Sequence, residues 1–321
     1  MHILSLLNSV VIPITRGKET YYFFLDSGCP YSISPVLTSL NQDDIGVDFP
    51  FHLDIHNSNI QAILTSISEL LGITISGMLG LDFFTSFNNF LFDSRNNSLE
   101  FNLPKFDYDY AIGIINMGYL LTTISPINQN NEEMALIDTG AFTCMTFNDD
   151  LADYPISQGW KYPSTMGEMT VNFYNDIPLY LDHEMKGLLS FGRPTNLPAM
   201  PFNYVLGLNF LTQYTCLFDW GNNQLKLLKS NKPSQLNNTP SLTLGFQIKI
   251  INDEIMVSNI LPNCNLDINI GDIISLPGLD MSNLERINEI YNRLIYLNDN
   301  KDVHLLVNGV EKVFTPINLF N

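Results

Sequence analysis

The chain has 321 residues, enough for two or three domains, with 15 Lys and Arg against 33 Asp and Glu, a formal net charge of -18 at pH 7. That balance opposes binding to a phosphate backbone, and no basic cluster offsets it, so nucleic acid is excluded as a partner. No apolar run is long enough to span a bilayer.

The chain opens on apolar runs at 3–7 and 10–14 that lack a basic leader region and a small-residue cleavage site. Residues 11–14 stand before Asp26 much as residues 123–127 stand before Asp138, so they read as a strand of the folded body. This predicts a cytoplasmic protein, or a periplasmic or secreted one if a leader has been removed.

Phe23-Phe24-Leu25 then runs into Asp26-Ser27-Gly28, and Ala135-Leu136-Ile137 runs into Asp138-Thr139-Gly140. Each copy lies in a longer repeat. Met78-Leu79-Gly80-Leu81-Asp82 is answered by Val205-Leu206-Gly207-Leu208-Asn209. Leu91-Phe92-Asp93 with Asn96-Asn97 is answered by Leu217-Phe218-Asp219 with Asn222-Asn223, and Pro50-Phe51-His52-Leu53-Asp54 by Pro178-Leu179-Tyr180-Leu181-Asp182. Matched blocks in one order predict two similar lobes, over residues 1–104 and 105–229.

In these motifs the chain resembles the retropepsin-like and pepsin-like aspartic peptidases. Their signature is Asp-Thr/Ser-Gly in each lobe, followed later by two apolar residues and a Gly. The resemblance covers roughly residues 8–229. It implies a mainly β, bilobal protease of two related retropepsin-like barrels, with Asp26 and Asp138 as the catalytic pair. Ser27 and Thr139 would brace the two loops, while Gly28 and Gly140 would let backbone N–H groups approach the carboxylates. Retroviral members supply one Asp per subunit; a chain with both lobes completes its site alone, so a monomer is expected. The implied reaction needs no cofactor and no metal, and its partner is a peptide or protein substrate.

The stretch between Asp138 and Pro178 is much longer than that between Asp26 and Pro50. Apolar residues alternate on both sides of Ser164-Thr165-Met166-Gly167-Glu168, which predicts a β-hairpin. By the resemblance it is a flap over the bound chain, with Thr165, Met166 and Gly167 at its tip and no counterpart in the first lobe. Cys29, Cys144, Cys216 and Cys264 form no paired-spacing motif and read as buried, reduced thiols.

Residues 230–240 form a polar, proline-bearing linker. In residues 241–321, strands are expected at 247–251 and 255–261, and a helix from Leu284, Ile287, Ile290, Tyr291 and Leu294. A final hairpin is expected from 303–307 and 313–317, joined near Asn308-Gly309. Leu244-Gly245-Phe246 and Gly271-Asp272-Ile273-Ile274 resemble marks of PDZ domains in the form common in bacterial proteases. That resemblance implies a small α+β domain whose Leu244, Gly245 and Phe246 loop takes the C-terminal carboxylate of a peptide. A catalytically silent peptide-binding protein using the same cleft and groove is the alternative reading. A metal-binding carboxylate protein ranks last, because no dense run of oxygen ligands is present.

Overall fold

The computed structural model describes residues 1–6, 9–45, 51–53, 58–124, 126–127, 133–148, 151, 153–164, 167–196, 200–229, 242–251, 254–262, 264–277, 294, 297 and 301–318. The fold is mainly β, as the sequence predicts. Among the described residues no helix is long and apolar enough to cross a membrane.

The repeated blocks become a repeated unit of three strands. In the first copy Ser9–Arg16 runs antiparallel to Glu19–Leu25, which lies parallel to Ile75–Leu79, with Leu25 opposite Leu79. In the second, Leu121–Ile124 runs antiparallel to Met134–Ile137, which lies parallel to Tyr204–Leu206, with Ile137 opposite Leu206. Phe23, Phe24 and Leu25 are all buried, so the middle strand is covered on both faces. That is why it reads as a continuous apolar run rather than an alternating one. Each third strand ends at a glycine, Gly80 or Gly207, in nearly the same extended conformation, and a short helix follows at Leu81–Thr85 or Leu208–Leu211.

The halves are joined through one sheet. The hairpin of Asn89–Asp93 and Ser98–Phe101 meets the hairpin of Tyr214–Asp219 and Gln224–Lys229, with Phe90 opposite Phe218 and Phe92 opposite Cys216. Both hairpins turn through a left-handed Asn, Asn97 and Asn223, after an Asp whose carboxylate accepts backbone N–H bonds in the turn. Tyr110–Asn116 flanks the second hairpin, while Ile3 and Leu99 extend pairing from the first hairpin to the N-terminus. Phe90 stacks on Phe218 with centroids 4.3 Å apart, at the centre of an aromatic core. A twelve-stranded sheet therefore carries strands from both sides of the boundary expected at residue 104.

The match between residues 50–54 and 178–182 does not extend to pairing. Phe51–His52 pairs with Ser39–Leu40, whereas Leu179 and Leu181 belong to Gly167–Leu181, which pairs with Glu184–Pro194. Between Phe51–His52 and Ile75–Leu79 the first half inserts a helix, Ser58–Leu71, where the second half has its long hairpin. Gly72, at φ +65, ends that helix in the left-handed conformation usual for such a stop.

The C-terminal region forms a five-stranded sheet in the order Phe246–Ile251, Glu254–Ile260, Ile273–Ser275, Val303–Val307, Val310–Phe314. Leu242–Thr243 pairs with Ile317–Asn318, tying its two ends together. The last hairpin turns on Asn308 and Gly309, both at positive φ, as a two-residue turn requires. Its second arm is Val310–Phe314, earlier in the chain than the expected 313–317. Of the expected helix, Leu294 is helical and buried; residues 284–293 and the linker at 230–240 lie outside the described residues.

This region is not a detached bead. Its Phe246, Ile248 and Ile250 share one buried cluster with Val11, Phe24, Leu64 and Leu71 of the first half. A side chain on Gly72 would meet Ile250 Cγ2 at 2.5 Å, so helix and sheet touch closely there.

Candidate active site

Asp26 and Asp138 each follow the last residue of a middle strand, and each backbone N–H is fixed by the neighbouring parallel strand. Asp26 donates to Leu79 O (3.0 Å) and Asp138 to Leu206 O (3.1 Å). Each loop then folds back on its own carboxylate. Asp26 Oδ1 accepts from the N–H of Gly28 (2.9 Å) and Cys29 (3.1 Å). Asp138 Oδ1 accepts from Gly140 (2.8 Å) and Ala141 (3.2 Å).

The two loops are latched reciprocally. Ser27 Oγ accepts from Thr139 N–H (3.0 Å) and donates to Ile137 O (3.0 Å). Thr139 Oγ1 accepts from Ser27 N–H (2.9 Å) and donates to Leu25 O (3.2 Å). Both hydroxyls are fully buried, so each bond forms without competing water. Replacing Thr by Ser in the first copy drops a methyl group and keeps every bond.

The glycines are required by the opposite carboxylate. A Cβ on Gly28 would lie 2.6 Å from Asp138 Oδ2, and one on Gly140 would lie 2.5 Å from Asp26 Cγ. Gly80 and Gly207 are needed for a different reason. Their Cβ positions fall 2.7 Å from Cys29 O and 2.7 Å from Ala141 O, on the backbone of the Asp-bearing loops.

Burial pushes the Asp26 carboxyl well above the usual carboxylate range, helped by the charge of Asp138 and a hydrogen bond between the two side chains. Burial also raises Asp138, while the hydrogen bond from Asp26 and backbone N–H groups hold it back. The two carboxyls therefore titrate as one unit, with the stronger upward push on Asp26. Such a pair can hold one proton between one base and one acid.

Two residues of the repeat brace the site without having been singled out in the sequence reading. Asp82 Oδ1 accepts from Ser32 Oγ (2.6 Å), whose oxygen accepts Gly80 N–H (2.8 Å). Asn209 Oδ1 accepts Cys144 N–H (2.6 Å) and its amide donates to Ser190 O (2.9 Å). Their signal was present, since both stand second after the repeated glycine.

The expected hairpin is present, with arms Ile156–Ser164 and Gly167–Leu181. Gly167 opens the return arm opposite Ser164 rather than forming the tip. Thr165 and Met166 lie outside the described residues. Trp160, Val171 and Phe173 of the arms share an apolar cluster with Leu136 and Val205, beside the strand that delivers Asp138.

Leu244 and Phe246 are buried in the cluster shared with the first half, and Gly245 takes φ +85. Gly245 N–H donates to Thr243 Oγ1 (3.3 Å). The thiols depart in part from expectation. Cys144 and Cys216 are buried, but Cys29 and Cys264 are only half-buried, and all four are free. Burial pushes the Cys29 thiol up to about 12, which keeps it protonated beside the Asp pair. Among the described residues no group of three or more His, Cys, Asp or Glu is placed to hold a metal ion. Comparison with known protein families and with curated proteins gives no match.

Proposed function

We propose that the chain is an aspartic endopeptidase, built from two retropepsin-like lobes and a PDZ-like C-terminal domain and active as a monomer. The observation that carries this reading is the reciprocal latch. Two carboxylates from repeated units, Asp26 buried and Asp138 half-buried, are held together by each other's loops, with backbone N–H groups on each.

The ionised member of the pair takes a proton from a bound water, and the resulting hydroxide attacks the peptide carbonyl carbon. The protonated member donates a hydrogen bond to the carbonyl oxygen and stabilises the charge that develops there. As the C–N bond breaks, a proton passes to the leaving nitrogen and the pair returns to one shared proton. The formal charge of -18 favours neutral or basic peptides over strongly acidic ones. Four free cysteines suit a reducing compartment such as the cytoplasm.

The test is a diverse peptide library incubated with wild type, Asp26→Asn and Asp138→Asn, with products identified by mass. Cuts made by the wild type and lost in both variants are expected, with the fold of each variant intact. Either variant cutting at near wild-type rate would overturn the shared-proton mechanism. Peptide retained uncut by the wild type would favour the silent binding protein instead.

A further inference from the structure

We infer that Gln247 and Asn259 of the C-terminal domain are positioning residues for the active-site hairpin, so that this domain braces the catalytic lobe. The inference rests on the peptidase reading for its consequence, but its geometry stands independently.

Ile156–Ser164 is an edge strand of the twelve-stranded sheet, with Gly167–Leu181 on its inner side. An open edge leaves backbone groups without ladder partners. Here a side chain supplies the missing strand. Gln247 Oε1 accepts Lys161 N–H (2.7 Å), and Gln247 Nε2 donates to Lys161 O (2.9 Å). One primary amide thus makes the same donor–acceptor pair that a peptide on an adjoining strand would make.

The contact is reinforced from its neighbour. Asn259 stands directly opposite Gln247 in the sheet, and its Nδ2 donates both to Gln247 Oε1 (2.8 Å) and to Gly159 O (3.1 Å). The first bond fixes the Gln247 amide; the second holds the hairpin two residues away from Lys161. The hairpin strand is shaped to fit. Its pairing slips between Ser157 and Trp160, and Gly159 there adopts φ +79. A Cβ on Gly159 would meet Pro262 Cγ at 2.6 Å, so that close approach is available to glycine alone.

Between the two gripped residues stands Trp160. It packs with Leu261 of the C-terminal domain and with Leu136 and Val205 beneath the Asp138 loop, and Ala141, which donates to Asp138, packs on the same cluster. Grip, tryptophan and catalytic loop are therefore contiguous. Loosening the grip frees the outer arm and the packing under Asp138 together.

The experiment compares the full chain with Gln247→Met, which keeps length and packing but has no amide, and with Asn259→Ala. Amide hydrogen exchange over residues 156–164 should be about tenfold faster in Gln247→Met, the effect of losing two part-buried hydrogen bonds. Exchange over 254–260 should stay at the wild-type rate, showing the C-terminal sheet intact. On a peptide cut by the wild type, kcat/KM should fall by about fivefold or more, with Tm lowered by only about 3–6 °C. Asn259→Ala should shift both readouts the same way by a smaller factor. Unchanged exchange over 156–164 in Gln247→Met would overturn the brace, as would faster exchange with unaltered kcat/KM. A wild type without turnover overturns the peptidase reading, and the exchange comparison alone then decides the brace.

Discussion

Thr139→Val tests the joint between the two halves. Valine keeps the shape of threonine and replaces only the hydroxyl, at a position with 0% exposure. The change removes the bond from Ser27 N–H (2.9 Å) and the bond to Leu25 O (3.2 Å). A buried hydrogen bond contributes about 1 kcal/mol net, and a buried group deprived of its partner costs about 1–3 kcal/mol. Two affected groups give a loss of about 2–6 kcal/mol. For a cooperative unit of about 150–250 residues, 3 kcal/mol lowers Tm by about 6–12 °C. Ser27→Ala removes the mirror-image pair of bonds and should cost a similar amount. The double variant should lose less than the sum by about 1 kcal/mol, because both hydroxyls hold the same two loops. Calorimetry on the three variants and the wild type is the assay. A loss below about 0.5 kcal/mol in both single variants would refute the latch as a stabilising device.

Gly140→Ala drives a methyl group into Asp26, whose Cγ lies 2.5 Å from the Cβ position, and should lower kcat by about a hundredfold in a peptide-cleavage assay. Folding raises both the Asp26 and the Asp138 carboxyl, so the native state binds protons more tightly than the unfolded chain. Stability from this pair is present at low pH and is lost as pH climbs from the unfolded carboxyl value through the higher native one. Asp26→Asn should therefore raise Tm at neutral pH, with the gain vanishing below about pH 4 in a series of thermal melts. Gly72→Ala puts a side chain at φ +65 and 2.5 Å from Ile250 Cγ2, and should cost about 1–3 kcal/mol by urea unfolding.

The sequence shows most clearly what short-range chemistry controls. The Asp-bearing loops were legible because a strand covered on both faces must be apolar throughout, and its abrupt end at Asp26 or Asp138 stands out. The last hairpin turn was legible for a similar reason, since Asn308 and Gly309, both at positive φ, mark it locally, whereas the turns at Asn97 and Asn223 showed only as matched repeat blocks. The helix Ser58–Leu71 was missed, although Leu64, Ile67 and Leu71 carry helical spacing and Gly72 marks the stop. The likeness of residues 50–54 to 178–182 has no counterpart in strand pairing. That match records shared burial: Phe51, Leu53, Leu179 and Leu181 all enter the same core through different pairings. The grip of Gln247 on Lys161 joins residues 86 apart through one amide, and no local pattern announces such a bond.

The central pairing of Asn89–Asp93 with Tyr214–Asp219 has a consequence for synthesis. Phe90, Leu91 and Phe92 leave the ribosome as a strand whose partner is still about 120 residues away. At about 5–20 residues per second the partner follows roughly 6–24 s later. Through that interval the nascent first half presents an unfilled apolar edge, the kind of surface that a second nascent copy can occupy. Crowding of ribosomes on one message should thus favour mispaired chains, and slower initiation should raise the yield of correctly joined protein.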